Sequence, residues 1–228
     1  MTAMWLFFKL LQIMTMIKNI LFDLGGVLYD IRYQNVPEAF AKLGFTDFAK
    51  LGFTDFDTHF TQAAQSGPID LFEEGKISVP EFRDYIRTLT DAPMTDQQID
   101  DAWNAIIIDV PEHRIQMLEE LKNQYNLYLF SNTNQLNCDK FSVLLQEKYG
   151  YNIFERYFNR YFFSHEIHLR KPKVEAFQFV LAEAGINPDE TIFIDDTVRH
   201  IEGAKQTGLH TYLLPKGEDV CERKWLNI

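Results

Sequence analysis

Short apolar segments alternate along the chain with amphipathic stretches of helical periodicity. The apolar segments predict five strands, at Lys18–Leu24, Leu127–Phe130, Tyr161–Phe163, Thr191–Ile194 and His210–Leu214. The amphipathic stretches predict helices at Pro111–Asn123, Val174–Ala184 and Val198–Thr207. Gly185 and Gly208 stand where the last two of these helices should end. Strands that alternate with helices indicate an α/β fold with a parallel, doubly wound sheet.

Residues 33–109 interrupt this alternation, because their pattern is helical and shows no obvious strand. The predicted helices are Val36–Leu43, Ile69–Glu74, Pro80–Thr90 and Asp96–Ile107. One of them has a clear start, with Ser78 as N-cap, Pro80 in the first turn and Glu81 at the capping-box position. We therefore predict a doubly wound α/β core formed by residues 16–32 and 110–228. Residues 33–109 form a helical cap over the carboxyl edge of its sheet.

An identical tandem repeat lies inside the predicted cap. Ala41–Phe48 recurs as Ala49–Phe56, and each copy contains a glycine. Two short copies do not make a repeat architecture. We interpret the second copy as an insertion that a helix end and its following loop absorb, without a catalytic role.

The N-terminal residues 1–15 are apolar but too short for a membrane span. A spanning helix needs about 20 apolar residues, and Lys9 and Gln12 interrupt this segment. A basic stretch and a small-residue cleavage site, which mark a signal peptide, are both missing. We interpret residues 1–15 as an N-terminal extension before a second plausible start at Met16, and expect a cytoplasmic protein without membrane contact.

Charge and cysteine content narrow the choice of partners. The chain carries 22 basic and 33 acidic residues, a net charge of −11, which argues against a nucleic acid because phosphate backbones need a basic face. A small phosphorylated substrate needs only one local positive site and stays possible. Cys138 and Cys221 are far apart in sequence and fit two free thiols in a reducing compartment. The oligomeric state is not indicated.

Three of the predicted strands end in polar side chains. Asp23, Ser131 and the pair Asp195-Asp196 stand at the ends of the first, second and fourth strands. Ligands of open parallel sheets bind at the carboxyl ends of the strands. A carboxylate such as Asp23 can there act as a nucleophile or a metal ligand, although alone it could simply cap a turn.

The other polar residues also have both a chemical and an ordinary interpretation. Ser131 and Asn132 offer a hydroxyl and backbone N–H groups to an anion, and Lys171 could neutralise a phosphate. An ordinary loop and a solvated basic turn are the alternatives. Asp195 and Asp196 repel each other unless a cation is near, which favours Mg²⁺. The alternative is an acidic helix N-terminus.

The conjunction of these four motifs resembles the haloacid dehalogenase superfamily. The motifs are Asp23–Leu28, Ser131, Lys171 and Asp195-Asp196, within a resemblance that covers about Ile17 to Leu214. Within the superfamily the chain looks like the bacterial α-D-glucose-1-phosphate phosphatase group. The segments that carry this finer likeness are Phe22–Gly25, Ser131–Asn134, Arg170–Pro172 and Glu74–Ser78. The resemblance implies a Rossmann-like core with strand order 5-4-1-2-3.

The resemblance also implies a Mg²⁺-dependent phosphatase that forms an aspartyl-phosphate. Asp23 would attack phosphorus and bind the metal. The carbonyl of Gly25 and the carboxylate of Asp196 would complete the protein ligands, with Asp195 acting behind them or through water. Ser131, Asn132 and Lys171 would hold the phosphoryl oxygens.

Three positions depart from the superfamily pattern. Gly25 stands where most superfamily phosphatases have an acid/base aspartate, although the glucose-1-phosphatase group also has glycine there. His168 replaces a usual glycine, and His200 replaces an expected Asn or Asp. Since Gly25 supplies no proton, we expect good leaving groups, such as the anomeric oxygen of a hexose 1-phosphate, to be favoured.

Two other functions remain as alternatives. One is a metal-independent 2-haloacid dehalogenase with the same nucleophile, against which the intact pair Asp195-Asp196 argues. The other is a catalytically weak domain that binds a phosphorylated ligand or a partner, which Gly25 and His200 would favour.

Overall fold

The fold is known from a computed structural model that describes residues 17–45 and 67–227. Its strands are β1 (Asn19–Phe22), β2 (Asp30–Ile31), β3 (Ile107–Asp109), β4 (Asn126–Ser131), β5 (Arg160–Phe163), β6 (Thr191–Asp195) and β7 (His210–Leu213). Five of them form one sheet in the order β5-β4-β1-β6-β7. All neighbours in this sheet are parallel. The predicted α/β class with a parallel sheet is confirmed.

The strand order places the chain's first strand at the centre of the sheet. Counting only the strands of this sheet along the chain gives 3-2-1-4-5, which is 5-4-1-2-3 when read from the opposite edge. β1 therefore lies between β4 and β6, and the carboxyl ends of these three strands meet. The order changes direction at β1, which is where open α/β sheets form a ligand crevice.

Ten α-helices are present in the described residues. They are α1 (Asn35–Lys42), α2 (Pro68–Glu73), α3 (Val79–Thr88), α4 (Asp96–Asn104), α5 (Glu112–Leu121), α6 (Gln135–Tyr149), α7 (Ile153–Tyr157), α8 (Ser164–Ile167), α9 (Val174–Ala184) and α10 (Val198–Lys205). The capping box predicted for α3 is present, since Ser78 and Glu81 bond to each other's backbone N–H. The sequence pattern did not reveal α6, α7 or α8. None of these helices is long and apolar enough to cross a bilayer.

The prediction that residues 33–109 contain no strand was wrong. Helix α4 ends at Asn104, and the next residues form β3, which pairs antiparallel with β2. Strands of two and three residues are too short to show an alternating pattern. This two-stranded ribbon joins the entry and the exit of the predicted cap.

The apolar side chains of this cap form a cluster of their own. It contains Phe40, Phe72, Phe82 and Trp103, all buried, and Leu136 from α6 joins it. Phe72 and Phe82 stack with ring centroids 4.2 Å apart. Two further clusters pack on the faces of the sheet. The division into a core (16–32 and 110–228) and a cap (33–109) stays a prediction that the separate cluster supports. The extension at residues 1–15 and most of the tandem repeat lie outside the described residues.

Candidate active site

Asp23 lies directly after β1, at the centre of the carboxyl edge of the sheet. Its backbone N–H donates to the carbonyl of Ile194 at 2.9 Å, which fixes it to the neighbouring strand. Lys171 donates from Nζ to Asp23 Oδ1 and to Asp195 Oδ2, each at 2.7 Å. Lys171 and Asp195 have no exposed surface. The predicted residues of three motifs therefore meet in one buried cluster of charges.

The charges in this cluster are not balanced. Burial raises the pKa of Asp23 to about 8, and Asp195 and Asp196 add to the rise although Lys171 opposes it. For Asp195, burial also favours the neutral acid, but Lys171 and His200 outweigh it and hold the pKa below its usual range. Lys171 is thus close to three carboxylates, those of Asp23, Asp195 and Asp196. A cation bound beside Asp23 would lower the pKa of this carboxyl and favour its ionised form.

Both oxygens of Asp195 are already engaged by the protein. Besides Lys171, the backbone N–H of Thr197 donates to Oδ1 at 2.7 Å, and Nδ1 of His200 lies 3.0 Å from Oδ2. This arrangement makes Asp195 a holder of Lys171. It agrees with an indirect place for Asp195 behind the predicted metal ligands.

Asp196 points to the turn that follows Asp23. A Cβ atom on Gly26, whose φ is +78°, would lie only 2.1 Å from Asp196 Oδ2. Any side chain at Gly26 would therefore displace the carboxylate, and the positive φ also favours glycine. Desolvation by the surrounding protein and the neighbouring Asp195 raise the pKa of Asp196 to about 6, although its side chain keeps exposed surface. The sequence did not indicate that this glycine makes room for Asp196.

Gly25 lies on the opposite side of this turn, beside a hydrophobic neighbour. A Cβ added to Gly25 would lie 3.1 Å from Cδ1 of Ile31 in β2. A larger side chain would have to push Ile31 aside. Gly25 therefore offers no acid/base side chain at this position, and Ile31 restricts the space for one.

The loop after β4 supports Lys171 through its backbone. Asn132 donates from Nδ2 to the carbonyl of Lys171 and accepts from its N–H, both at 2.9 Å. The Asn132 amide thus holds the lysine peptide, a role that the sequence did not predict. Ser131 and Asn132 line the same pocket as Asp23 and Asp196. Their predicted contact with a phosphoryl group stays a prediction.

The two histidine departures each have a physical explanation. His200 takes the place expected for a hydrogen-bond partner of the acidic pair, and burial lowers its pKa so that it donates as a neutral ring. His168 adopts the left-handed conformation, with a φ of 58°, that suits the usual glycine. Its Nδ1 lies 2.8 Å from the carbonyl of Glu74 in the cap.

The cap side of the pocket carries a second set of charges that the sequence analysis missed. Arg170 forms ion pairs with Asp70 and with Glu73, the latter at 2.6 Å. Arg199 from α10 lines the same pocket. We call these four residues the cap–core cluster: Asp70, Glu73, Arg170 and Arg199. Asp70 and Glu73 are three apart in α2, and Arg170 precedes Lys171, but the sequence alone did not indicate that they meet.

Backbone contacts hold this part of the cap against the core. The Ser164 hydroxyl lies 2.6 Å from the carbonyl of Glu73 and 2.9 Å from the backbone N and O atoms of Thr133. A Cβ on Gly75, whose φ is +62°, would meet the carbonyl of His165 at 2.1 Å. The segment Glu74–Ser78 thus seats the cap beside the Arg170-Lys171 loop.

The family is decided by comparison with known proteins. Residues 17–208 match the family model of haloacid dehalogenase-like hydrolases. The chain belongs to this family. It is 31% identical over 204 residues to D-ribitol-5-phosphate phosphatase of Bacteroides thetaiotaomicron. The alignment covers 90% of this chain and 95% of the relative. The expected superfamily is therefore confirmed, whereas the finer likeness to glucose-1-phosphate phosphatases stays a prediction.

Solved haloacid dehalogenase-family structures show the same fold. A family enzyme of B. thetaiotaomicron in complex with magnesium is 35% identical, with a TM-score of 0.78 over 90% of this chain and 96% of that one. Its wild-type complex with magnesium and inorganic phosphate gives a TM-score of 0.77 over 91% and 99%. A family hydrolase of Porphyromonas gingivalis is 27% identical, with a TM-score of 0.79 over 91% and 96%.

Proposed function

We propose that this chain is a Mg²⁺-dependent phosphatase for a small phosphorylated sugar or sugar alcohol. The observation that carries the proposal is the buried set of Asp23, Lys171 and Asp195, with Asp196 beside it at the same pocket. The likeness to a phosphatase of a phosphorylated sugar alcohol supports the substrate class.

The donor set of the site fits magnesium. Asp23 and Asp196 are carboxylates, and the Gly25 carbonyl precedes the turn against which Asp196 packs. Mg²⁺ prefers such oxygen ligands and keeps several waters when few are supplied. The unbalanced negative charge of the site also fits a divalent cation, and family structures contain magnesium. Bound there, Mg²⁺ would supply positive charge for the ligand oxygens and the phosphoryl group.

The protein's own residues would do the following. Asp23 attacks the phosphorus atom and becomes an aspartyl-phosphate, while the alkoxide leaving group departs and takes a proton from solvent. Lys171 offsets the charge of the phosphoryl oxygens, and Asp195 and Asn132 hold Lys171 in place. Ser131 donates its hydroxyl to the phosphoryl group. Water then attacks the phosphorus atom of the aspartyl-phosphate, which releases inorganic phosphate and regenerates Asp23. Positioned charge of this kind provides most of the catalysis in phosphoryl transfer.

The leaving group distinguishes two candidate substrates. The relative is named for ribitol 5-phosphate, the ester of a primary alcohol. Gly25 supplies no proton, and Ile31 crowds the position, which favours an anomeric leaving group such as that of glucose 1-phosphate. General acid–base help is worth about 10²–10⁴-fold, so the better substrate shows whether another group provides it.

A substrate comparison with and without metal tests the proposal. Hydrolysis of ribitol 5-phosphate, glucose 1-phosphate and glucose 6-phosphate is measured at equal Mg²⁺, then in EDTA. We expect hydrolysis of at least one sugar ester, its loss in EDTA and its recovery with added Mg²⁺. A preference for glucose 1-phosphate over glucose 6-phosphate would support the leaving-group argument, and an equal or reversed preference would contradict it. Full activity in EDTA would refute the metal assignment.

A further inference from the structure

The cap–core cluster contains buried polar atoms whose hydrogen-bonding capacity is unused. Asp70 is 5% exposed, and its Oδ2 atom has no hydrogen-bond partner within residues 17–45 and 67–227. Nε of Arg199 is buried in the same condition. Such atoms are rare in folded proteins because burial without a partner is unfavourable. Their place at the wall of the pocket indicates that a ligand supplies the partners.

The cluster also contains equal numbers of acidic and basic groups. Its two carboxylates come from α2 of the cap, and its two guanidinium groups come from the core, before α9 and in α10. The ion pairs of Arg170 satisfy part of this charge. A charged group on the ligand would therefore meet no excess of opposite charge in the cluster. Hydroxyl groups suit the site, because each can donate to a carboxylate and accept from a guanidinium.

The remaining walls beside the cluster are apolar. Apolar residues of the cap and of its ribbon line the pocket beside the cluster: Val36, Ile69, Ile106 and Ile107. Asp23 and Asp196 line the same pocket, so a phosphoryl group at Asp23 and its leaving group at the cluster occupy one cavity.

From these observations we propose that the cap–core cluster binds the hydroxyl groups of the leaving alcohol and selects neutral, polyhydroxylated phosphate esters. The proposal rests on the proposed phosphatase function and adds the residues that read the substrate. Asp70 accepts a hydroxyl hydrogen through Oδ2, and Arg199 donates from Nε. Because the acids come from the cap and the cations from the core, the selective site is complete only when the two are in contact.

The test compares two substrates in two variants. One substrate is the better of ribitol 5-phosphate and glucose 1-phosphate, and the other is p-nitrophenyl phosphate, whose leaving group has no further hydroxyl. We expect Asp70→Asn to lower kcat/KM for the sugar ester by about 10- to 100-fold, mainly through KM, since a hydrogen bond to a charged group is lost. For p-nitrophenyl phosphate we expect less than about a 3-fold change.

Glu74→Gln is the matched control. Glu74 is buried, follows Glu73 and pairs with Lys76 and Lys173 at the cap joint, but it does not line the pocket. If Glu74→Gln disturbs the contact between the cap and the core, it should lower kcat/KM for both substrates by the same factor. If Asp70→Asn also lowered kcat/KM for both substrates equally, the role of the cluster would be structural and the proposal would be wrong.

A second variant and a binding measurement guard against misfolding. Arg199→Gln removes the other unsatisfied group from a partly exposed position, and it should weaken inhibition by the free sugar or sugar alcohol without weakening inhibition by inorganic phosphate. Equal inhibition by the free alcohol in the wild type and in Arg199→Gln would contradict the proposal. If the wild type hydrolysed p-nitrophenyl phosphate but preferred no hydroxylated ester, selection would be refuted while the phosphatase assignment stood. Failure on every ester would refute the phosphatase assignment itself.

Discussion

Two groups of charged residues line the pocket and are held in place in different ways. We call the set Asp23, Lys171 and Asp195 the core wall, and the cap–core cluster the cap wall. On the core wall, Lys171 bonds to Asp23 and Asp195 at 2.7 Å. Asp23 follows β1, Asp195 ends β6, and Lys171 lies in the loop between α8 and α9. On the cap wall, Arg170 reaches Asp70 and Glu73, about a hundred positions earlier in the chain and on a different hydrophobic cluster. The core wall is therefore fixed by the sheet, whereas the cap wall exists only through a contact between two parts of the fold.

The two walls therefore have different roles: the core wall serves the reaction, and the cap wall selects the substrate. A buried lysine between two carboxylates seldom increases stability, because desolvation offsets the attraction of the charges. Its presence is better explained by a reaction that needs preorganised charge at one place. The cap wall needs no such rigidity, since it contacts the part of the substrate that does not react. Variants of the core wall should therefore affect every substrate, and variants of the cap wall only some.

The largest effect is expected for Asp23→Asn. The variant removes the nucleophile while keeping the shape of the side chain, so kcat should fall by roughly 10⁴-fold or more for every ester. Asp109→Asn, whose carboxylate pairs with Lys148 outside the pocket, is the control and should keep its rate. Steady-state assays with p-nitrophenyl phosphate measure both. Substantial turnover in Asp23→Asn would point to a different nucleophile.

Lys171→Ala should have the next largest effect. Loss of one preorganised charge costs roughly 10²-fold or more in kcat, again for all substrates. Lys205→Ala removes an exposed lysine that pairs with Glu202 outside the pocket and should have little effect on kcat. Circular dichroism checks that both variants fold. A folded Lys171→Ala enzyme with a near-normal rate would remove the lysine from the catalytic set.

The same contrast explains what could be predicted from the sequence. The core wall was largely predictable, because parallel strand ends meet at one edge and Asp23, Ser131 and Asp195 stand at such ends. The long helix α6 was missed because its apolar residues do not keep to one face of the helix. The cap wall was missed because its contacts join Asp70 to Arg170, and local periodicity carries no information about such distant pairs.

Gly26→Ala should affect the metal more than the fold. The new Cβ would overlap Asp196 Oδ2, so the carboxylate must move away from the turn, and the positive φ adds about 1 kcal/mol of strain. We expect a raised Mg²⁺ requirement, measured as the concentration that gives half-maximal activity, with all esters affected alike. Gly150→Ala, at a helix end with a similar φ and open space around it, controls for backbone strain. An unchanged Mg²⁺ requirement in Gly26→Ala would separate Asp196 from the metal.

The smallest effect is expected from a third group of charges, which lies outside the pocket. Asp219 accepts hydrogen bonds from the Arg114 side chain and from the backbone of Cys221, and it contacts His113. Burial opposes ionisation of Asp219, but these partners outweigh it and hold its pKa well below the ordinary value. Arg114 also pairs with Asp30 in β2, so the group joins the ribbon to the C-terminal segment.

A lowered pKa in the folded state fixes the direction of the pH dependence. The stabilisation by Asp219 is fully present above the ordinary carboxyl pKa of 3.8 and is lost as the pH falls through the lower folded-state value. Asp219→Asn should therefore lower the free energy of unfolding at pH 7 by about 1 kcal/mol, because the carboxylate is partly exposed. The difference from the wild type should shrink progressively below pH 3.8. Urea unfolding at several pH values measures it, with the exposed Asp91→Asn as control. Since Asp219 does not line the pocket, kcat at pH 7 should stay unchanged. A loss of activity in this variant without a loss of stability would show that charge outside the two walls also serves the reaction.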